Sequence, residues 1–217
     1  MATSTAEPIT FERPVNRRDL LAARTVEVRF LDIPDAAFLA VDGTGAPGGT
    51  EFGEAFGALY PVAYTLHFAL KRRDVDAPVG ALEGLFWIGD PGPITPAQFG
   101  SVASGAPDWH WRLMLPAPEA ATDADIASAI DAVAAKKAPP ALARLHVERL
   151  AEGASAQILH VGPYSAEPPT IERLHAGIAA AGLRPRGCHH EIYLSDPGRT
   201  APERLKTVIR QPVLAAG

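Results

Sequence analysis

The sequence predicts an α+β fold made of two tandem strand–helix–strand–strand modules with pseudo-two-fold symmetry around a central cleft. Two stretches of the chain show the same succession of patterns: an apolar strand ending in glycine, a helix, a strand with one glutamate, and a closing apolar strand. The first stretch has Gly43 and Glu83 at these places, and the second has Gly162 and Glu191. The two offsets differ (162 − 43 = 119 and 191 − 83 = 108), which a longer first helical segment explains. A repeat of this kind predicts two similar structural units.

The predicted boundaries divide the chain into a leader and one domain. Residues 1–24 are rich in Pro and Arg and are expected to be poorly ordered or to lie on the surface. The domain covers residues 25–217, with module one at about 25–118, a linker helix at about 119–145 and module two at about 146–213. A chain of 217 residues with 47% hydrophobic content is long enough to bury one core.

Module one begins with alternating apolar and polar residues at 25–30, which predict a strand. A glycine-rich turn over Gly43–Gly49 leads into a helix at Thr50, where large apolar residues recur at helical spacing. Pro61 interrupts this pattern and predicts a kink or a restart of the helix. Residues 89–108 are rich in Pro, Gly and Ser, and so long a connection is typical of a lid over the adjoining strand or of a disordered segment.

The linker helix is predicted to start at Thr122, because Asp125 three residues later completes a pattern that resembles a capping box. The Ala-rich helix runs to Lys137. Module two then repeats the succession, with an apolar strand over 157–162 and a helix that begins near Thr170.

The glutamate in the middle of each repeated strand is the feature that most needs an explanation. Side chains alternate along a strand, so Glu83 and Trp87 share one face, and His189, Glu191 and Tyr193 share another. A charge on a sheet is costly unless it is solvated, paired or in contact with a ligand. A solvated strand face is the simpler explanation of each strand alone. The repeat predicts instead that the two glutamates flank one shared cleft.

Composition excludes several classes of protein. The formal net charge is −5 and no basic block occurs, which argues against nucleic-acid binding. The single cysteine, Cys188, excludes an internal disulfide and fits a reducing cytoplasm, and no apolar run is long enough to span a membrane. We expect no metal at Cys188–Glu191, since adjacent strand residues face opposite ways, and no cofactor. A cytoplasmic monomer is expected, because an internal repeat supplies the symmetry of a dimer.

The block His189–Pro197 resembles the GyrI-like small-molecule-binding family. Further matching segments are Asp42–Pro47, Glu83–Leu85, 157–164 and 202–207, and the resemblance covers roughly residues 25–213. It implies two modules of the SHS2 type around a ligand cleft that takes hydrophobic, aromatic or cationic small molecules. Family members are drug-binding domains of transcription regulators, stand-alone binding proteins or gyrase inhibitors.

Within this family, the His-His-Glu-Ile-Tyr-Leu block is similar to the branch that contains hydrolases of cyclopropanoid cyclohexadienones. These compounds are the electrophilic group of DNA alkylators, and opening the ring with water detoxifies them, which implies a role in drug resistance. The chain departs from the family pattern at Pro61 and in the 89–108 loop. Residues 1–24 are too few for a helix-turn-helix domain, so direct control of transcription is not expected.

Water addition to a strained ring needs a base for the water and a donor for the oxygen that becomes charged. We assign Glu191 as the base or water-positioning group and Glu83 as its pseudo-symmetric partner. Two adjacent carboxylates raise the pKa of one of them, so that one is protonated and the other ionised. The tyrosine hydroxyls of Tyr164 and Tyr193 are the candidate donors.

Aromatic and imidazole side chains supply the predicted ligand walls. Trp87 and Trp111 are assigned as stacking surfaces for a flat ligand, and His189 as a further contact. Tyr60 and Tyr64 lie four residues apart on one helix face, a spacing that fits either core packing or a ligand wall. A non-catalytic protein that sequesters cationic drugs through these rings and carboxylates is the alternative function.

Overall fold

The structure, a computed structural model, describes residues 9–99 and 108–216. Both predicted units are present in the expected order. The first contains β2 (Ala36–Thr44), α2 (Thr50–Lys71), β3 (Leu82–Ile88) and β4 (Trp109–Pro116). The second contains β6 (Gly153–Val161), α5 (Pro168–Ala180), the short β7 (Leu183–Pro185), β8 (His189–Tyr193) and β9 (Lys206–Ala215). The remaining elements are α1 (Arg17–Leu20), β1 (Arg29–Ile33), α3 (Pro96–Phe99), α4 (Asp123–Lys136) and β5 (His146–Leu150).

Antiparallel pairing joins the strands in the order β1-β6-β9-β8-β3-β4-β2-β5, and β7 adds to β9. This large antiparallel sheet with helices confirms the α+β class. The central pair is β3 with β8, from which the two units run outward as β3-β4-β2 and β8-β9-β6. The strand that precedes each unit pairs with the other unit, since β1 joins β6 and β5 joins β2. A two-fold relation between the units stays a prediction.

Both long helices pack on the same face of the sheet. The core under α2 includes Leu82 and Phe86 of β3, and the core under α5 includes Ile209 of β9. Glu191 lies opposite Gly84 on β3 and opposite Ile209 on β9, so it points to this helical face. The central pair β3–β8 therefore forms the floor of an interhelical cleft between α2 and α5.

Helix α2 is continuous from Thr50 to Lys71, so the restart predicted at Pro61 is wrong. Proline removes one backbone donor, which leaves the carbonyl of Gly57 without its helical partner. Gly57 and Pro61 both lie on the exposed side of the helix, where water can bond that carbonyl. Buried residues on the other side hold the helix against the sheet, among them Leu59, Val62 and Leu66.

The linker helix α4 carries the predicted cap. Thr122 is its N-cap, and the reciprocal bonds of a capping box with Asp125 are both present. This helix packs against α2, where Arg73 Nη2 lies 3.1 Å from Asp125 Oδ2.

Residues 17–22 of the N-terminal segment lie over the face of the sheet opposite the helices, which we call the back face, whereas Phe11 packs against the core under α5. Leu31 forms an isolated bridge with Glu12, and Arg17 of α1 reaches Glu83 with 2.7 Å between Nη2 and Oε1. Residues 9–24 are exposed or half-buried, as expected of a surface segment, whereas residues 1–8 lie outside the described chain. No helix in the described ranges is long and apolar enough to cross a membrane.

Of the predicted lid at 89–108, residues 100–107 lie outside the described ranges. Residues 89–99 pack on the helical face, where Ile94 is buried in the core under α2. Phe99 lies between the two helix-side cores. The described part of this connection therefore covers the interhelical cleft at one end.

Candidate functional site

The two predicted glutamates lie on opposite faces of the sheet. In the β3–β8 pair, Glu83 is opposite Ile192 and Glu191 is opposite Gly84. Directly opposed residues point to the same face, so the register separates the two carboxylates. The prediction that Glu83 and Glu191 flank one cleft is therefore wrong. A one-residue difference in register would have reversed this result, because it moves every side chain of a strand to the other face.

Glu191 is held in the interhelical cleft by two neighbours on its own strand. Its Oε1 lies 3.2 Å from His189 Nε2, and its Oε2 accepts a hydrogen bond of 2.8 Å from the Tyr193 hydroxyl. Burial alone would raise the pKa of Glu191, but His189 and Tyr193 outweigh burial and lower it. Glu191 is therefore an ionised carboxylate at neutral pH.

A second carboxyl, Glu167, shares this pocket. It precedes α5 and is only 5% exposed. Burial and the charge of Glu191 raise the pKa of Glu167 to about 10, against a smaller opposing effect of Thr207. Glu167 is therefore protonated at neutral pH beside the ionised Glu191. Among the described residues, no hydrogen-bond partner reaches its Oε1 atom, which is available to a ligand or to water.

Sequence reasoning missed Glu167. It precedes Pro168 and Pro169, and an acidic residue at a helix start is ordinarily explained by the helix dipole alone. Its position three residues after Tyr164, which was already assigned to the cleft, is the signal that points to it. Glu167 thus lies in the place that was predicted for Glu83, and its pKa is shifted upward while that of Glu191 is shifted downward.

The two predicted donor tyrosines lie together above Glu191. Tyr164 and Tyr193 meet edge to face, with 5.6 Å between ring centroids. Burial and the charge of Glu191 raise the pKa of Tyr193 well above its usual value, so its hydroxyl keeps its hydrogen, which Glu191 accepts. Tyr164 is 40% exposed and stands at the mouth of the cleft. Burial and the charges of Glu167, Glu191 and Asp196 raise the pKa of Tyr164 as well.

Helix α2 contributes a row of four stacked aromatic rings. Phe56, Tyr60, Tyr64 and Phe68 follow one another at four-residue spacing, with centroid distances of 6.4, 6.3 and 6.5 Å. Tyr60 is half-buried in the core under α2, whereas Tyr64 is 49% exposed. Burial, Tyr64 and Asp196 raise the pKa of Tyr60. The charge of Asp196 therefore acts on both Tyr60 and Tyr164.

Neither predicted tryptophan wall lies in the cleft. Trp87 is on the back face with Glu83, where it stacks on His110 with 5.7 Å between centroids and an 8° interplanar angle. Trp111 is fully buried and packs edge-on against Phe52 of α2. The assignment of Trp87 and Trp111 as ligand walls is therefore wrong. Trp87 alternates along β3 with the residues that face the helices, so its side chain lies on the back face. Helix α2 covers Trp111, so no ligand can reach it.

Glu83 belongs instead to a buried charge network on the back face. His190 lies between two carboxylates, with Nε2 at 3.0 Å from Glu83 and Nδ1 at 2.9 Å from Glu152. Arg210 Nη1 is 2.9 Å from Glu152, and Arg17 covers Glu83. A cavity of about 40 Å³ adjoins this network. These contacts give Glu83 a structural role in joining β3, β8, β9 and the N-terminal segment.

The pKa values of this network favour its charged form. Burial alone would lower the pKa of His190, but Glu152 and Glu83 raise it to about 9. Burial would raise the pKa of Glu152, but His190 and Arg210 lower it to about 2. In the described part of the chain, no group of three or more His, Cys, Asp or Glu side chains is arranged so that it could hold a metal ion.

Known proteins resemble the chain at several levels. A family model of the GyrI-like small-molecule-binding domain matches residues 113–214. An uncharacterized conserved protein from Listeria innocua is 32% identical, over 91% of this chain and 97% of its own, with a TM-score of 0.79. A hydrolase from Listeria innocua is 31% identical, over 91% of this chain and 96% of its own, with a TM-score of 0.77.

A more distant structure, the C-terminal domain of EcmrR, shares only the fold. It is 9% identical, over 87% of this chain and 98% of its own, with a TM-score of 0.52. No curated protein matches the chain. The matched domain includes the block His189–Pro197, and the two Listeria structures match nearly the whole chain. The chain belongs to the GyrI-like small-molecule-binding family.

Proposed function

We propose that the protein is a cofactor-independent hydrolase that adds water to electrophilic aromatic small molecules, such as cyclopropanoid cyclohexadienones. The observation that carries this proposal is the buried pair of carboxyls, Glu167 and Glu191, in the interhelical cleft, whose pKa values are shifted in opposite directions, Glu167 upward and Glu191 downward. Such a pair holds a base and an acid side by side at one pH. The Listeria neighbour named a hydrolase, at 31% identity, supports the assignment.

Each carboxyl has a defined part in the proposed reaction. Glu191 removes a proton from water, and the water oxygen attacks the methylene carbon of the cyclopropane. The carbon–carbon bond that breaks leaves its electron pair in the six-membered ring, which becomes an aromatic phenolate. Glu167 gives its proton to the phenolate oxygen, and the net change is the addition of one water. A proton then passes from Glu191 to Glu167 to restore the starting state.

The matched acidities of donor and product favour this role for Glu167. A phenol has a pKa of about 10. The pKa of Glu167 is also raised to about 10, by burial and by the charge of Glu191. Proton transfer between groups of similar pKa carries little free-energy cost, and positioned acids or bases typically contribute about 10²–10⁴-fold to a rate.

The aromatic side chains support binding of a flat ligand above the carboxyl pair. Tyr164 is exposed at the mouth and Tyr193 forms the wall beside Glu191. Tyr60 and Tyr64 extend the wall along α2. Stacked and edge-to-face contacts of this kind contribute roughly 0.5–1.5 kcal/mol each beyond the buried area.

Sequestration of cationic aromatic drugs is the second candidate function. The half-exposed rings of Tyr64 and Phe68 favour it, because exposed aromatic faces attract organic cations. A binder of this type would release its ligand unchanged. Chemical analysis of the bound compound therefore separates the two functions.

The test is to incubate the purified protein with a cyclopropanoid cyclohexadienone and to follow the mixture by mass spectrometry. We expect the wild type to form a product heavier by one water, and Glu191→Gln to bind the compound without converting it. Glu172→Gln is the matched control, because it changes an exposed glutamate of α5 outside both carboxyl clusters and should retain turnover. Unchanged compound bound tightly by the wild type would support sequestration and overturn hydrolysis.

A further inference from the structure

Rings that carry buried, unpartnered nitrogen atoms pack against Phe99 at the covered end of the interhelical cleft. The Phe99 ring is 4.5 Å from the His189 ring and 6.3 Å from the ring system of Trp109, measured between centroids. His189 is 0% exposed and Trp109 is 2% exposed. Within residues 9–99 and 108–216, neither His189 Nδ1 nor Trp109 Nε1 has a hydrogen-bond partner.

A third such atom lies nearby on α5. His175 interacts with His189, and its Nε2 atom is also buried without a partner among the described residues. Burial and His189 lower the pKa of His175 to about 4, so its ring is neutral at pH 7. Two rings with an unpartnered buried nitrogen, His189 and Trp109, thus pack against the hydrocarbon ring of Phe99, and a third, His175, interacts with His189.

Burial without a partner is costly for each of these groups. An unsatisfied buried donor or acceptor costs about 1–3 kcal/mol. A phenyl ring offers an N–H donor at most a weak contact with its face, and it offers a ring nitrogen no polar hydrogen. Groups of this kind are rare in native structures, and each one calls for an explanation, such as a bound water, an ion or a catalytic role. Trp109 can only donate a hydrogen bond, so the partner must carry an acceptor.

We propose that the Phe99 ring occupies a subsite that binds a flat aromatic ring carrying a hydrogen-bond acceptor. Phe86 forms one wall, with 6.4 Å between its ring and that of His189 and 6.5 Å between its ring and that of Trp109. The ligand's acceptor atom would receive the hydrogen of Trp109 Nε1, and the histidines would contact its edge. The opposite nitrogen of the His189 ring, Nε2, contacts Glu191, so the ligand lies one imidazole away from the carboxyl pair.

The side chain of Phe99 is placed so that it can rotate out of this position. It is half-buried and ends the four-residue helix α3, whereas Ile94 anchors the same connection with 1% exposure. A rotation of its side chain would vacate a space of the size of one ring. Ligand affinity would then include the cost of displacing Phe99, and removal of that ring would strengthen binding.

Binding of quinoline and of naphthalene tests this inference, because the two have the same shape and only quinoline carries an acceptor nitrogen. Affinities are measured by calorimetry in the Glu191→Gln background, where no turnover occurs, with Phe99 intact and with Phe99→Ala. The indole ¹H–¹⁵N signal of Trp109 reports the hydrogen bond directly. Phe99→Leu serves as a milder variant if the melting temperature of Phe99→Ala falls.

We expect Phe99→Ala to bind quinoline about tenfold more tightly than the protein with Phe99, and to prefer it to naphthalene by about tenfold. Quinoline, but not naphthalene, should shift the Trp109 indole signal, and Trp109→Phe should abolish the preference. Equal quinoline affinities with and without Phe99, or an unmoved Trp109 signal, would overturn the subsite. The subsite extends the proposed function, but these binding readouts do not depend on hydrolysis, so each can fail without the other.

Discussion

Glu191 stays charged inside the cleft because two neighbours on its own strand contact its carboxylate. Strand alternation in the sequence already placed His189, Glu191 and Tyr193 on one face, and the structure brings those three together. Alternation does not reveal which strand lies alongside or in which register. For that reason Glu83 was assigned to the wrong face, and Glu167, which approaches from a helix start, was missed.

Turnover should depend on pH through the proton of Glu167. The pKa of Glu167 is raised to about 10 by burial and by Glu191, so the acid is lost as the pH approaches 10 and the rate should fall there. Glu167→Gln keeps the shape but cannot transfer a proton, and we expect kcat to fall by about 10²-fold with loss of the alkaline limb. The pH dependence of kcat measures this. An unchanged alkaline limb in the variant would show that another group supplies the proton.

The raised pKa of Glu167 should also make the stability of the protein depend on pH. An unfolded glutamate has its ordinary pKa of about 4.3, whereas the folded pKa is near 10, so the folded state binds the extra proton between these values. Stability is therefore lost as the pH rises through this window, by up to about 1.4 kcal/mol per pH unit from this group.

Glu167→Gln removes that loss, so the variant should gain stability relative to wild type between pH 5 and pH 8. Urea denaturation at both pH values measures the difference. Glu172→Gln, on the exposed side of α5, is the control and should show no such trend. A constant difference between Glu167→Gln and wild type would mean that Glu167 is already ionised in the folded protein.

At the scale of elements, helix α2 shows where local rules and tertiary packing compete. Pro61 predicts an interruption, yet the helix continues because its opposite side is buried against β2 and β4. The chain tolerates the missing hydrogen bond since Pro61 faces solvent. The capping box at Thr122 was predictable for the opposite reason, because all of its bonds are local.

Pro61→Ala should therefore stabilise the protein. Alanine restores the donor to the carbonyl of Gly57, and we expect a gain of about 1–3 kcal/mol in the free energy of unfolding. Gly57→Ala is the comparison variant for a gain in helix propensity alone, since a Cβ there meets nothing within 4 Å. It should raise the free energy of unfolding by about 0.5–1 kcal/mol. Urea denaturation checks both values. Destabilisation by Pro61→Ala would mean that the helix depends on a bend at this proline.

At the scale of the whole molecule, one sheet joins the two units and the cleft arises where they meet. The repeat and the composition predicted the units and the α+β class from the sequence. The central β3–β8 pairing and the exchange of β1 and β5 involve contacts far apart in the chain, which no local pattern encodes. The charge network of the back face belongs to this level, because it links Glu83, His190, Glu152 and Arg210 across separate strands.

Removal of one member of that network should destabilise the whole fold. Glu152→Gln leaves His190 and Arg210 buried with a lost counter-charge, and we expect a cost of about 3–5 kcal/mol. Glu27→Gln is the control, because the exposed pair of Glu27 with Arg24 should contribute at most about 1 kcal/mol. Thermal and urea unfolding measure both. Equal effects of the two substitutions would show that the buried network adds no stability.

The central claim is that the cleft holds one protonated and one ionised carboxyl, and ¹³C NMR of the glutamate side chains tests it most directly. Glutamate labelled at the carboxyl carbon, with assignment through Glu167→Gln and Glu191→Gln, allows each group to be titrated separately. We predict that at pH 7 the Glu191 signal is that of a carboxylate and the Glu167 signal that of an acid, which titrates near pH 10. Two carboxylate signals at pH 7 would contradict the proposed acid–base pair.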